Sequence, residues 1–152
     1  MDRYYINLAL EEAKKAEEKD EVPVGAIIVK DNKIIARAYN LKENTNDPTS
    51  HAEILAIREA SKMLNRWRLN DCEMYVTLEP CPMCAGAIVQ SRLRKLYIGT
   101  FDPRTGACGS VLNITQDERL NHWVDVKWLY DDECSKILED FFMKRRKEKS
   151  NG

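Results

Sequence analysis

What this chain lacks bounds what it can be. No apolar run is long enough to span a bilayer, and the residues after Met1 do not follow the basic-then-apolar order of an export signal, so a soluble, cytoplasmic protein is expected. Net charge is almost absent: 24 Lys and Arg stand against 25 Asp and Glu, for a formal −1. That excludes a protein that coats nucleic acid by bulk electrostatics, though not one that binds through a local basic face. The five cysteines are odd in number and not grouped as a disulfide framework, which implies a reducing compartment. Histidine is scarcer still, with only His51 and His122. No glycine-rich phosphate cradle occurs; Asp102-Pro103-Arg104-Thr105-Gly106 reads as a turn, so no nucleotide cofactor is expected.

What is present fits one globular domain. A 152-residue chain with 43% hydrophobic and 32% charged residues can bury a sizeable core, and no repeat or linker divides it. We read residues 1–147 as the domain and 148–152 as a disordered tail. Residues 2–19 have the 3.6-residue period of an amphipathic helix, which Glu21-Val22-Pro23 breaks. Val24–Val29 and Ile34–Tyr39 form a hairpin about Asp31-Asn32. Asn40–Ser50 reads as a loop, His51–Leu64 as a helix with Ile54, Leu55, Ile57 or Arg58, and Met63 or Leu64 spaced by three and four, Met74–Leu78 and Leu96–Phe101 as strands, and Pro82–Gln90 as a buried helix. A half-buried strand about Val124, Val126 and Trp128 follows, and a helix over Asp131–Lys147 closes the chain. The order predicts an α/β layered fold around a mixed sheet of about five strands.

The chemistry centres on Cys81-Pro82-Met83-Cys84. Proline is favoured at the first position of a helix, which makes Cys81 the N-cap and sets Cys84 one turn in on the same side. The positive end of the helix dipole favours thiolates there, and paired thiolates suit zinc. A Cys-x-x-Cys pair is equally compatible with a redox couple or with two core cysteines. Upstream, His51 supplies a third ligand type. Three protein ligands leave a fourth position for water, the catalytic rather than the structural pattern, and the spacing from His51 to Cys81 does not fit a zinc finger. Ser50-x-x-Glu53 is also a capping box, in which Glu53 would fold back onto the helix start. Residues two apart do not share a helix face, so His51 and Glu53 can converge on one water only if His51 sits at the irregular start of the helix. Cys72, Cys108 and Cys134 read as small buried hydrophobes, and His122 as a loop residue that nothing positions.

His51-x-Glu53 followed by Pro80-Cys81-x-x-Cys84 resembles the signature of the zinc-dependent nucleoside deaminases. Glu21 to Ala26, His51 to Ile54, Leu78 to Ala87, Gly106-x-x-Gly109-Ser110, Asn121-His122 and Phe141-Phe142 are similar to the bacterial tRNA-specific adenosine deaminases. Arg104, where that family often has Lys, and Cys108, where it often has a small residue, are departures. The resemblance implies a three-layer α/β/α cytidine-deaminase-like fold, one Zn2+ per subunit on His51, Cys81 and Cys84, and Glu53 as the catalytic acid/base. It implies hydrolysis of adenosine to inosine at the wobble position of a tRNA anticodon loop by a homodimer. By the same resemblance Asn40 holds the base edge, Val24 packs on the adenine face, and Asp102, Arg104, Phe142, Arg145 and Arg146 meet the flanking nucleotides. A deaminase of free guanine or cytidine on the same scaffold is the alternative, and a non-catalytic zinc-stabilised RNA-binding module is a second.

Overall fold

A computed structural model describes residues 2–151. Helix α1 (Asp2–Glu18) is followed by the hairpin β1 (Gly25–Lys30) and β2 (Lys33–Tyr39), then α2 (Lys42–Thr45), α3 (Ala52–Leu64), β3 (Glu73–Leu78), α4 (Pro82–Ser91), β4 (Lys95–Thr100), β5 (Asp125–Trp128) and α5 (Asp132–Asn151). The expected hairpin turn is present, with Asp31 and Asn32 both at positive φ (50° and 62°), the pairing that matches the twist of the flanking strands.

The five strands form one mixed sheet in the order β2-β1-β3-β4-β5. β1 runs antiparallel to both β2 and β3, whereas β3, β4 and β5 run parallel. Alternation along each strand feeds two cores. Ala26, Ile28, Met74, Val76, Leu96 and Ile98 face α3 and α4. Ile27, Val29, Tyr75 and Tyr97 face α1 and Cys134 of α5. The result is the three-layer α/β/α arrangement expected.

The helix–sheet distance is set by small residues. Gly25 lies so close to α1 that an added Cβ would overlap the backbone of Ala9 and Ala13, and alanines on that helix face complete the fit. In α3 the residues packed in the core beneath the helix are Ala52, Ala56 and Ala60, while Ile54, Leu55 and Ile57 are only half-buried and Met63 is exposed. The sheet approaches closely enough that the larger residues Leu55, Ile57 and Leu64 pack at the flank of the core.

Two boundaries and the placement of one side chain also differ. The 40–50 loop contains the short helix α2. α5 continues past Lys147 to Asn151, because nothing in Glu148-Lys149-Ser150 interrupts a helix; residue 152 of the expected tail lies outside the described residues. His122 is not unpositioned: its Nε2 lies 2.9 Å from the Leu93 carbonyl oxygen. Among the described residues no helix is long and apolar enough to cross a membrane.

Candidate active site

Two helix N-termini meet at the end of the sheet where β3 finishes. His51 caps α3 in extended conformation (φ −81°, ψ 151°), and Cys81 caps α4 likewise (φ −72°, ψ 173°) with Pro82 in the first turn. His51 Nδ1 lies 3.7 Å from Cys81 Sγ and 3.5 Å from Cys84 Sγ. Zn–N and Zn–S bonds at a tetrahedral angle put nitrogen and sulfur about 3.6 Å apart. The donor atoms of all three residues lie within 4.8 Å of one another, so they fit one zinc ion with a fourth position left for solvent.

The protonation chemistry of the protein alone supports this fit. A hydrogen bond with Cys84, aided by His51, lowers the Cys81 thiol to about 4. The hydrogen bond with Cys81, together with burial and the Glu53 carboxyl, drives Cys84 far upward. Hydrogen bonding to Cys81 raises His51. A second thiolate cannot form beside the first without a compensating cation; a dication supplies it. Cys81 and Cys84 are free thiols, as are buried Cys72, Cys108 and Cys134.

Glu53 is 4% exposed, and burial raises its carboxyl to about 7. Its side chain lies against Cys84 rather than on the helix cap. The expected capping box does not form: Ser50 Oγ accepts from Thr45 Oγ1 (2.9 Å), and the N–H of Ala52 goes to Asn40 Oδ1 (2.8 Å). His51 itself occupies the N-cap, so it stands clear of the helix and shares a pocket with Glu53.

That pocket is a cavity of about 190 Å³, smaller than the roughly 300–1,000 Å³ of sites that enclose a drug-sized ligand. It suits one flat ring with the remainder of a larger molecule outside. Val24, Asn40, Asp102 and Arg145 all line it with His51, Glu53 and Cys81. Asn40 donates from Nδ2 to the Val22 carbonyl (3.1 Å) while its Oδ1 holds Ala52 N–H, which leaves one N–H and one lone pair for a ligand. Asp102 receives the N–H groups of Arg104 and Thr105, a local turn. Arg145 reaches the Asp20 carbonyl (2.7 Å) and lies over the Phe141 ring.

Arg104, Phe142 and Arg146 do not line this cavity. They border the adjoining groove, which shares Leu78 and Asp102 with it, and Arg104 lies over the Phe142 ring at 5.4 Å. Among the lining residues left without a role by sequence reasoning are two buried carboxylates, Glu21 and Glu79. The available signal was an acid within two residues of a proline at each position, in Glu21-Val22-Pro23 and Leu78-Glu79-Pro80.

A mixed sheet with a His-Cys-Cys cluster and a buried carboxylate at two helix starts defines a metal-dependent hydrolase of the deaminase class. The chain belongs to the MafB19-like deaminase family, whose model matches residues 2–146. It is 50% identical to the tRNA-specific adenosine deaminase of Bacillus subtilis, over 97% of this chain and 92% of that one. It is 51% identical to the tRNA-specific adenosine deaminase of Aquifex aeolicus, over 94% and 95%. A structure solved in a study of A-to-I editing by tRNA:A34 deaminases at the wobble position of transfer RNA superposes with a TM-score of 0.86. That structure is 44% identical, with 90% of this chain and 99% of that chain covered.

Proposed function

We propose that this protein is a zinc-dependent hydrolase that converts adenosine to inosine at the wobble position of a tRNA anticodon loop. The observation that carries the reading is the His51, Cys81 and Cys84 cluster with buried Glu53 beside it, at the base of a cavity sized for one ring. An anticodon loop presents unstacked bases, so one base can enter while its neighbours stay outside.

His51, Cys81 and Cys84 hold the ion; when bound, it supplies Lewis acidity that lowers the pKa of a water in the cavity. Glu53 takes a proton from that water as oxygen adds to C6 of adenine, and delivers it to N1. Glu53 then moves the proton of the new hydroxyl to the departing N6, the C6–N6 bond breaks, and ammonia leaves with inosine formed. Glu53, buried on the cavity wall beside the cluster, can accept a proton as carboxylate and return it as carboxylic acid. Asn40 has a free N–H and lone pair for the base edge, and Val24 offers an apolar wall. The groove with Arg104, Phe142 and Arg146 takes flanking nucleotides through stacking and charge; Asp102 lines both spaces, and Arg145 lines the cavity.

The active form is a homodimer. The outer face of α4 supports this: Pro82 and Met83 are exposed, Ala87 is half-buried, and a Cβ at Gly86 would meet nothing within 4 Å, so another chain could approach closely. Acting on tRNA with five free cysteines suits the cytoplasm.

The test is incubation of the zinc-loaded protein with a tRNA carrying adenosine at the wobble position, followed by sequencing for inosine. Inosine at that position alone is expected. Deamination of free guanine or cytidine with none in tRNA would overturn the reading.

A further inference from the structure

We propose that Glu79 is a positioning residue for the substrate. Its carboxylate holds the loop of residues 102–110 against the mouth of the pocket, and Gly106 is glycine because that carboxylate occupies the space a side chain would need. The inference rests on the deaminase reading above.

Glu79 is 2% exposed and accepts four hydrogen bonds from one loop: Asp102 N–H (2.9 Å), Cys108 N–H (2.9 Å), Ser110 N–H (3.1 Å) and Ser110 Oγ (2.5 Å). Among the described residues no ion pair involves it. Its partners are therefore dipoles of a single segment, an arrangement that shapes the segment. Four donors converging on two oxygens require a group that only accepts. An amide would turn an N–H toward another N–H and leave a buried donor without a partner.

Gly106 supports the same assignment independently. A Cβ there would overlap both oxygens and the carboxyl carbon of Glu79. The φ of Gly106 is not in the left-handed region, so conformational freedom does not account for the glycine. Space for the carboxylate does.

The loop so held carries Asp102 and Thr105, both on the pocket wall. Releasing it displaces that wall without touching the His51, Cys81 and Cys84 cluster. The expected defect is in binding the substrate, not in the chemical step. Glu79 is also two residues from Cys81, and a merely structural role would act through that ligand; the two roles give different readouts.

The experiment compares zinc-loaded full-length protein with E79Q, G106A, S110A and the double variant E79D/G106A. The substrate is an anticodon stem-loop with adenosine at the wobble position. E79Q and G106A are expected to raise KM by about tenfold or more, the scale of losing a buried bond to a charged group, with kcat within about threefold. Zinc per chain stays at the wild-type value, and amide exchange accelerates at Asp102, Cys108 and Ser110. S110A, which removes one donor and no acceptor, raises KM less. E79D/G106A is less impaired than G106A, because the shorter acid vacates the space the new methyl fills.

Loss of zinc in E79Q, a fall in kcat at unchanged KM, or unchanged exchange in the loop would each overturn the proposal. Absence of inosine in the wild type would count against the deaminase reading instead; the exchange comparison still tests the hold of Glu79 on its loop.

Discussion

Replacing Glu53 by glutamine separates two consequences of one buried carboxyl. Glutamine keeps the shape but cannot relay a proton. General acid–base catalysis contributes about 10²–10⁴-fold, and the proposed mechanism uses Glu53 for more than one transfer, so a loss at or above the upper end of that range is expected. Stability moves the other way. Burial lifts the Glu53 carboxyl from 4.5 to about 7, a change worth about 3 kcal/mol. Between those values the unfolded chain has released its proton and the folded chain still holds it, so wild-type stability falls as pH rises through that window. Glutamine has no such dependence. With zinc chelated, E53Q should therefore be more stable than wild type at pH 8, by up to about 3 kcal/mol, and by much less at pH 4. With zinc bound the gain shrinks, because the dication favours the ionised carboxylate. Urea melts at both pH values and single-turnover deamination of a wobble-adenosine tRNA measure the two halves. Inosine formation within tenfold of wild type removes Glu53 from the chemistry. A chelated E53Q less stable than wild type at pH 8 refutes the burial argument.

Asn40 has two duties that one pair of variants resolves. N40D keeps an acceptor for Ala52 N–H and loses the amide donor, whereas N40A loses both. N40A should cost about 1 kcal/mol through the lost cap and N40D less, read from thermal melts, with both raising KM. The Arg145 and Arg146 side chains should each contribute to counterion release. R145A/R146A is expected to flatten the dependence of log K on log salt by about 1.4, at about 0.7 per single-strand contact, and an unchanged slope in filter binding would remove them from the RNA face. Zinc affinity should fall with falling pH, since Cys84 must give up a proton that its neighbours hold tightly; isothermal titration in buffers of different ionisation enthalpy counts the protons released. G25A should destabilise by about 3 kcal/mol or more, because its new methyl meets helix backbone rather than a movable side chain. A Tm within a degree of wild type would contradict that packing.

The legible part of this molecule is the part written in local chemistry. Pro82 after Cys81 marks a helix start whatever surrounds it, and Asp31-Asn32 marks its turn. The missed features depend on distances between segments. Ile54 and Leu55 are the stronger helix-period signal in α3, but the sheet lies close enough that only Ala52, Ala56 and Ala60 fit beneath it. Ser50 and Glu53 have the local pattern of a capping box, but Asn40, twelve positions before Ala52, supplies the acceptor for the Ala52 N–H, and Glu53 lines the cavity. Glu79 looks like any acid until Asp102, Cys108 and Ser110 are brought around it.

That substitution of caps links the substrate side of the pocket to its catalytic side. β1 runs antiparallel to β3, so the start of β1 and the ends of β2, β3 and β4 share one edge of the sheet. Val24 precedes β1, Asn40 follows β2, Glu79 follows β3 and Asp102 lies just beyond β4. The carboxyl ends of parallel strands are where open α/β sheets hold ligands, and here the antiparallel hairpin adds its own two residues to that edge. Asn40 bonds the chain before β1 to the first N–H of α3, beside His51 and one residue from Glu53. A base that displaced Asn40 would therefore shift the start of the helix that carries the proton relay. Binding geometry and chemistry are coupled through one amide, so a substrate that fits Asn40 poorly should lose kcat as well as KM.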